Sequence, residues 1–427
     1  VRVYFTNLGC KLNQAEIEGF ARDFLAAGHE VVGALADADL HVVNSCTVTH
    51  TAARTSRKAA GRGRRSGLRT VLTGCYASDP TAAARLADID LVVPNTEKDR
   101  LLERVHAAFP EAIPESPVPV PYVHLPFGNT RALLKVEDGC NMRCAFCIIP
   151  QTRGRQRSRP PKDVLAEARA HTANGYQEIV VTGVQISAYR WEEMGLFDLI
   201  RALLQESGAP RLRLTSIAPW DLDDRLLGLW SDRRLCRHLH LSLQSGATAT
   251  LRRMRRPYTA EAYARLLERV RTAIPGVAIT TDVIVGFPGE TEADFEESRV
   301  FVEAARFAKI HAFPFSPRPG TEAADLPDPV PPTEIRERME RMLATAEQVE
   351  TNFRRAALGR REVVLWEKPR DGMGHGLTDN YLRVFSPEGA KLWNRFSEVE
   401  LVELAGGGGG GRSAACPGQP TQGVALG

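Results

Sequence analysis

No apolar run in this 427-residue chain reaches the length of about 20 residues that a membrane-spanning helix needs. A helical membrane protein is therefore not expected. Charge of one sign is also missing: 55 Lys and Arg stand against 52 Asp and Glu, for a formal net charge of +3, which excludes a chain coated in basic residues. No basic-then-apolar leader precedes the strand-like run Val1 to Phe5, so a cytoplasmic protein is expected, with a few residues missing ahead of the initial valine. Cysteine is scarce. In a reducing compartment its eight copies favour metal binding or catalysis over disulfides. Hydrophobic residues at 43% and charged residues at 25% describe a globular chain, too long for one ordinary core.

From residue 1 to 109, short apolar runs at Val1-Phe5, Leu40-Val43, Thr70-Leu72 and Leu91-Val93 alternate with helix-like stretches, as in a small parallel α/β domain. Residues 110 to 126 carry Pro110, Pro114, Pro117, Pro119, Pro121 and Pro126, a spacing that fits an extended linker. A second domain is expected over 127 to 358. Its six apolar runs are Ala132-Val136, Glu178-Thr182, Leu212-Thr215, His238-Leu243, Ala278-Val285 and Lys309-Phe315. Six successive βα units predict a partial barrel of the (β/α)6 type, with its site at the carboxyl ends of the strands. An amphipathic helix over 333 to 357 closes it. Residues 359 to 404 read as a small β-barrel with strands at Val363-Trp366, Tyr381-Val384 and Val399-Val402. The glycine-rich tail over 405 to 427 is expected to be disordered and its Cys416 incidental.

Six of the eight cysteines are patterned. Cys140, Cys144 and Cys147 sit in one loop after the first barrel strand, with three and then two residues between them. Three thiolates leave one iron of a 4Fe-4S cluster without a protein ligand, free to chelate a small molecule through amine and carboxylate groups. A structural zinc site would need a fourth ligand, and none lies nearby in sequence. Cys10, Cys46 and Cys75 each follow one of the first three apolar runs, in Asn7-Leu-Gly-Cys, Val43-Asn-Ser-Cys and Leu72-Thr-Gly-Cys. In a parallel sheet those ends share one edge, so a second three-thiolate cluster is expected there; the alternative is three small buried hydrophobes. Cys236 has no such placement.

Together these motifs resemble the methylthiotransferase family of radical S-adenosylmethionine (SAM) enzymes over residues 1 to 404. Gly9-Cys10-Lys-Leu-Asn13-Gln, Asn44-Ser-Cys-Thr-Val-Thr49, Gly74-Cys-Tyr-Ala77 and Gly376-Leu-Thr-Asp-Asn-Tyr381 resemble its MtaB branch. The resemblance implies a carboxyl-terminal TRAM domain and addition of a methylthio group to threonylcarbamoyladenosine next to the tRNA anticodon. It implies two 4Fe-4S clusters and two SAM per turnover, one donating methyl to sulfur at the amino-terminal cluster and one cleaved to a 5'-deoxyadenosyl radical. It also implies an electron donor such as flavodoxin or ferredoxin. SAM contacts are expected at Phe146, Thr182, Gly183, Gln185, Ser216, Gln244, Asp282 and Phe313, against ordinary strand-end polarity as the alternative.

For the tRNA anticodon stem-loop, basic stretches supply phosphate contacts and the small β-barrel a further surface. Arg153, Arg155, Arg157 and Arg159 are the stronger candidates, because they follow the cluster loop. Arg54 to Arg69 equally fits a solvated helix face, and Arg252, Arg253, Arg255 and Arg256 form a third group. Competing readings are the same chemistry on isopentenyladenosine tRNA or on a ribosomal-protein aspartate, another radical SAM reaction with the first domain as electron relay, and a zinc-stabilised RNA-binding protein.

Overall fold

The computed structural model describes residues 1–114, 130–405 and 423–426. Its first domain is a five-stranded, all-parallel sheet of β1 (Arg2–Asn7), β2 (Glu30–Val31), β3 (Leu40–Ser45), β4 (Arg69–Gly74) and β5 (Leu91–Val92), in the order β2-β1-β3-β4-β5. Helices α1 (Lys11–Ala26), α2 (His50–Arg65) and α3 (Leu101–Ala108) cover it. All of β3 is buried, as a central parallel strand covered on both faces must be. Pro110–Ala112 is a single 3-10 turn whose Ala112 packs into the core of this domain. The start of the expected linker is thus part of the first domain, because Phe109 and Ala112 anchor it there. Pro117, Pro119, Pro121 and Pro126 lie outside the described residues.

In the second domain β6 (Arg131–Lys135) leads into β7 (Glu137–Asp138), which pairs antiparallel with β8 (Arg157–Ser158) and so clamps the two ends of the cysteine loop. The loop's exit is the short α4 (Ile149–Arg153), followed by α5 (Pro161–Ala173) and β9 (Glu178–Thr182). A hairpin of β10 (Arg190–Trp191) and β11 (Met194–Gly195) precedes α6 (Leu196–Glu206), β12 (Arg211–Leu214) and α7 (Asp224–Leu227). Next come β13 (His238–His240), α8 (Thr248–Arg253), α9 (Ala260–Ala273), β14 (Ala278–Val285), α10 (Glu292–Ala304), β15 (Lys309–Pro314) and α11 (Pro332–Arg355). The parallel sheets β12-β9-β6 and β13-β14-β15 are joined by bridges Leu212–Leu235 and Ile217–Leu241. The result is the six-stranded partial barrel expected from the six apolar runs.

Strand alternation decides what faces the lumen. Ile179, Val181, Leu212, Leu214, Leu239, Ile279 and Val283 point outward into the main core beneath the helices. Their neighbours Glu178, Val180, Arg213, His238, His240, Thr280 and Asp282 therefore point inward. An open barrel must cover that inner face at its edge, and α1 of the first domain does so: Ala15 packs on Leu133 and Val180.

The third domain is a closed barrel of β16 (Arg361–Trp366), β17 (Gly374–Thr378), β18 (Arg383–Ser386), β19 (Phe396–Leu404) and β20 (Gly423–Leu426), in the order β16-β17-β18-β20-β19. Two of these strands differ from the sequence reading. β17 was concealed by its glycines, which are there because a Cβ on Gly376 would meet Leu365 O at 2.5 Å. β20 comes from the tail expected to be disordered; its backbone completes the ladder between β18 and β19. Cys416 lies outside the described residues. No helix among the described residues is long and apolar enough to cross a membrane.

Candidate active site

Cys10, Cys46 and Cys75 follow the carboxyl ends of β1, β3 and β4, which are adjacent strands of one sheet. Glycine makes the close approach feasible. A Cβ on Gly9, held at φ +112°, would stand 3.0 Å from Cys46 Cβ; one on Gly74, at φ +91°, would meet Asn44 Oδ1 at 2.4 Å. Asn13 ties the ends together: its amide donates to Leu8 O and Ser45 O, both at 2.9 Å, and its Oδ1 lies 3.5 Å from the Cys10 thiol. Burial pushes the Cys46 thiol up to about 11.

The second triplet is local. Cys147 N–H donates to Cys144 O at 3.0 Å and Met142 N–H to Cys140 Sγ at 3.4 Å, folding the loop on itself. Gly139, at φ +76°, is required because a Cβ there would meet Arg155 O at 2.2 Å. Burial raises the Cys140 thiol and pushes Cys147 up to about 12. Metal binding here would have to displace those protons. Among the described residues no three His, Cys, Asp or Glu side chains converge as one metal ion would require. Three thiols on one loop are the donor set that would hold three irons of a 4Fe-4S cluster, with Cys140, Cys144 and Cys147 as the ligands; such a cluster would supply the reductive cleavage of SAM.

Each triplet has one arginine donating to one sulfur. Arg256 Nη1 reaches Cys144 Sγ at 3.3 Å while its guanidinium lies over Trp220 and Tyr258, with 4.9 and 5.2 Å to the ring centroids. Arg153, at the end of α4, crosses the domain boundary: Nε donates to Cys75 Sγ at 3.1 Å, Nη2 to Asn13 Oδ1 at 2.7 Å, and Nη1 to Glu16 and Asp138 at 2.8 and 2.9 Å. Lys98 and Lys135 complete this buried group, at 2.6 and 3.1 Å from Glu16. Three cations face two carboxylates, so a surplus positive charge stands beside Cys75. Burial opposes ionising Glu16, but Arg153, Lys135 and Lys98 hold it well below the usual carboxylate range. A second tie lies beside Cys46, where Arg318 of the barrel domain donates to Thr47 Oγ1 at 2.6 Å and pairs with Asp79 at 2.9 Å.

Arg153 therefore does not sit where the sequence reading placed it. It is 1% exposed and fully engaged, so it makes no phosphate contact at the surface. Arg155 and Arg157 are exposed, Arg157 pairing with Asp138 at 3.4 Å, and Arg159 is tied to Glu167 at 2.6 Å. In the third basic group Arg253 pairs with Asp294 and Arg255 with Glu322, while Arg256 serves Cys144, leaving Arg252 exposed. On α2, Arg54, Arg57, Lys58, Arg62, Arg64 and Arg65 are all exposed, and only Arg64 among them has an ion-pair partner within the described residues.

The expected SAM positions divide. Ser216 and Gln244 hold positive φ, +55° and +71°, conformations that non-glycine residues keep only where the surroundings impose them, and both end barrel strands at the mouth. Gln185 lies 3.9 Å from Cys140 Sγ through Oε1 and donates to Asp221 at 3.0 Å. Asp282 meets His240 Nε2 at 3.1 Å on the lumen wall. Phe146 packs against the cluster of Ala145, Met254, Phe287 and Ala323, and Phe313 is 45% exposed beside His311. Thr182 is buried, 3.3 Å from Thr215. Gly183 makes room for Glu137, whose Oε1 would be 2.3 Å from a Cβ and which accepts Gln185 N–H. Burial pushes the Glu137 carboxyl up to about 8. Sequence reasoning gave Asn13, Glu16 and Glu137 no role in the site and took Arg256 only as one of a basic group, although Asn13 lies three residues after Cys10 and Glu137 three before Cys140.

Residues 134–302 match the radical SAM superfamily model and residues 2–93 match the Uncharacterized protein family UPF0004 model. The threonylcarbamoyladenosine tRNA methylthiotransferase MtaB of Bacillus subtilis is 36% identical, covering 94% of both chains. The tRNA-2-methylthio-N(6)-dimethylallyladenosine synthase of Syntrophotalea carbinolica is 33% identical over 87% of this chain and 90% of its own. In fold, the chain is similar to the radical SAM methyltransferase TsrM of Kitasatospora setae, solved with cobalamin and a 4Fe-4S cluster, with TM-score 0.56 at 17% identity over 76% of this chain and 77% of that one. By its two matched domains and its near full-length relatives, the chain belongs to the radical SAM methylthiotransferase family.

Proposed function

We propose that this protein converts threonylcarbamoyladenosine beside the tRNA anticodon to its 2-methylthio derivative, using two 4Fe-4S clusters and two SAM per turnover. The observation that carries the reading is the pair of triplets, each with an arginine on one sulfur, in a chain 36% identical to a relative of that name. Cys10, Cys46 and Cys75 would hold the second cluster: they offer the same soft three-sulfur donor set, and Arg153 supplies the positive charge that a buried iron-bound thiolate requires. When bound, the two groups supply SAM cleavage and a sulfur carrier. The chain's own part is to hold them on facing domains, locked by Arg153 and Arg318, above a lumen open to an adenine.

The exposed cations of α2, with Arg155 and Arg157, give the phosphate-binding surface, and a flavodoxin or ferredoxin in the cytoplasm supplies electrons. Mass spectrometry of tRNA nucleosides from cells lacking the gene tests the substrate: methylthio-threonylcarbamoyladenosine should vanish and return on complementation. Its persistence, with loss of methylthio-isopentenyladenosine instead, would transfer the assignment to the other tRNA substrate. Anaerobic analysis should give about eight irons per chain.

A further inference from the structure

One cationic contact in the lumen belongs to neither triplet. Lys11 opens α1 directly after Cys10, and its Nζ stands 5.4 Å from the centre of the Tyr381 ring. Tyr381 comes from the third domain, in the turn after β17, and is held at φ +66°. Its ring stacks on His238 of the barrel at 4.3 Å and 13°, with the Arg213 guanidinium 5.1 Å from its centre. Three domains thus meet in one place. Each has delivered a side chain to the inner face of the barrel.

The charges there do not balance. Arg213 is neutralised by Glu178 at 2.7 Å and Arg131 by Glu367 at 2.9 Å. Lys11 has no carboxylate partner among the described residues; its contact is the phenol of Tyr381. Burial, with Arg213 and Lys11 nearby, keeps His238 neutral. The adjoining wall remains open, with the side chains of His240 and Asp282 23% and 29% exposed. A half-buried ammonium without a counter-ion is costly unless a ligand brings one.

We propose that Lys11, with the Tyr381 hydroxyl beside it, receives the carboxylate of an amino-acid substituent on the substrate base and so determines specificity. The inference rests on the function proposed above and names the group recognised. A threonylcarbamoyl substituent ends in a carboxylate and a hydroxyl, whereas an isopentenyl group offers only hydrocarbon. Carbon 6 of adenine, which carries N6, and carbon 2 flank the same ring nitrogen, so a substituent held at Lys11 fixes the orientation of the ring edge that carries carbon 2.

The test uses reconstituted holoenzyme and anticodon stem-loops carrying threonylcarbamoyladenosine, its threonine carboxamide analogue or isopentenyladenosine, with affinity read by fluorescence anisotropy and product by mass spectrometry. Wild type should prefer carboxylate to carboxamide by about tenfold or more in Kd, because a charge-assisted bond goes with the charge. Lys11→Met should remove that preference at unchanged iron content, Lys11→Arg should restore it, and Tyr381→Phe should weaken it by about threefold. No carboxylate preference in the wild type, or its retention in Lys11→Met, would overturn the inference and leave the proposed reaction standing. Methylthiolation of the isopentenyl loop but not the threonylcarbamoyl loop would overturn the reaction itself.

Discussion

Cys140, Cys144 and Cys147 lie within eight residues of one loop, whereas Cys10, Cys46 and Cys75 span 66 residues and come from the ends of three strands. The loop carries its own organisation: the β7–β8 ribbon clamps its ends, and Arg256 of the same domain serves one sulfur. The distributed triplet is assembled by glycines, by Asn13 and finally by Arg153 from another domain. A sulfur of the distributed triplet thus takes its arginine from another domain, whereas the loop triplet takes its arginine from its own.

The sharpest way to break that comparison is to remove each triplet in turn. Replacing Cys140, Cys144 and Cys147 by Ala should abolish 5'-deoxyadenosine formation, measured chromatographically. Replacing Cys10, Cys46 and Cys75 should leave cleavage of SAM intact, abolish methylthio transfer and halve the iron. Loss of cleavage in the second variant would mean that the barrel site is not independent.

Arg153→Met should remove the buried guanidinium that bonds Glu16, Asp138 and Asn13 across the domain boundary, at a cost of about 3 kcal/mol to docking. Hydrogen exchange should then rise along α1 and around Cys75 while the barrel loop stays protected. Arg256→Met is the contrasting variant. It should disturb the barrel site alone, and equal disturbance of both domains would erase the distinction.

Glu137 sharpens the comparison through pH. Burial raises its carboxyl from 4.5 to about 8, so the folded state holds a proton that the unfolded state releases earlier. The stability it contributes is complete below the unfolded value and lost as pH rises through the folded one. Urea denaturation should show the wild type losing about 3 kcal/mol between pH 5 and pH 8 from this group. In Glu137→Gln that component should be absent.

The smallest effect is expected at the surface. Arg57→Glu with Lys58→Glu on α2 should weaken stem-loop binding and lower the salt-dependence slope by about one for each phosphate no longer neutralised. SAM cleavage should be unaffected. An unchanged slope would make that face solvated, as its helical spacing also allows.

Much of this was legible in sequence. β9 and β14 have the bounds read from their apolar runs, and β1, β3 and β4 place their cysteines at one sheet edge as parallel βα units require. β17 and β20 were not legible. One is a glycine-containing strand formed by close backbone approach, and the other is a short segment whose strand character comes from the ladder it joins. The basic stretches misled for a related reason. Arginine spacing reports local charge but not which partner an extended side chain finds, and Arg153, Arg253 and Arg255 find carboxylates.

The sequence by itself determined the two sets of three thiols, the number of βα units and the strand ends on which chemistry could occur, since these follow from spacing and periodicity along one chain. Only the tertiary structure decided that Arg153 leaves the surface to reach Cys75, and that Lys11 and Tyr381, 370 residues apart, meet in the barrel lumen. Ion pairing and desolvation act through space. A buried charge is settled by whichever partners folding brings within a few ångströms, and those partners carry no signature in the residues beside it.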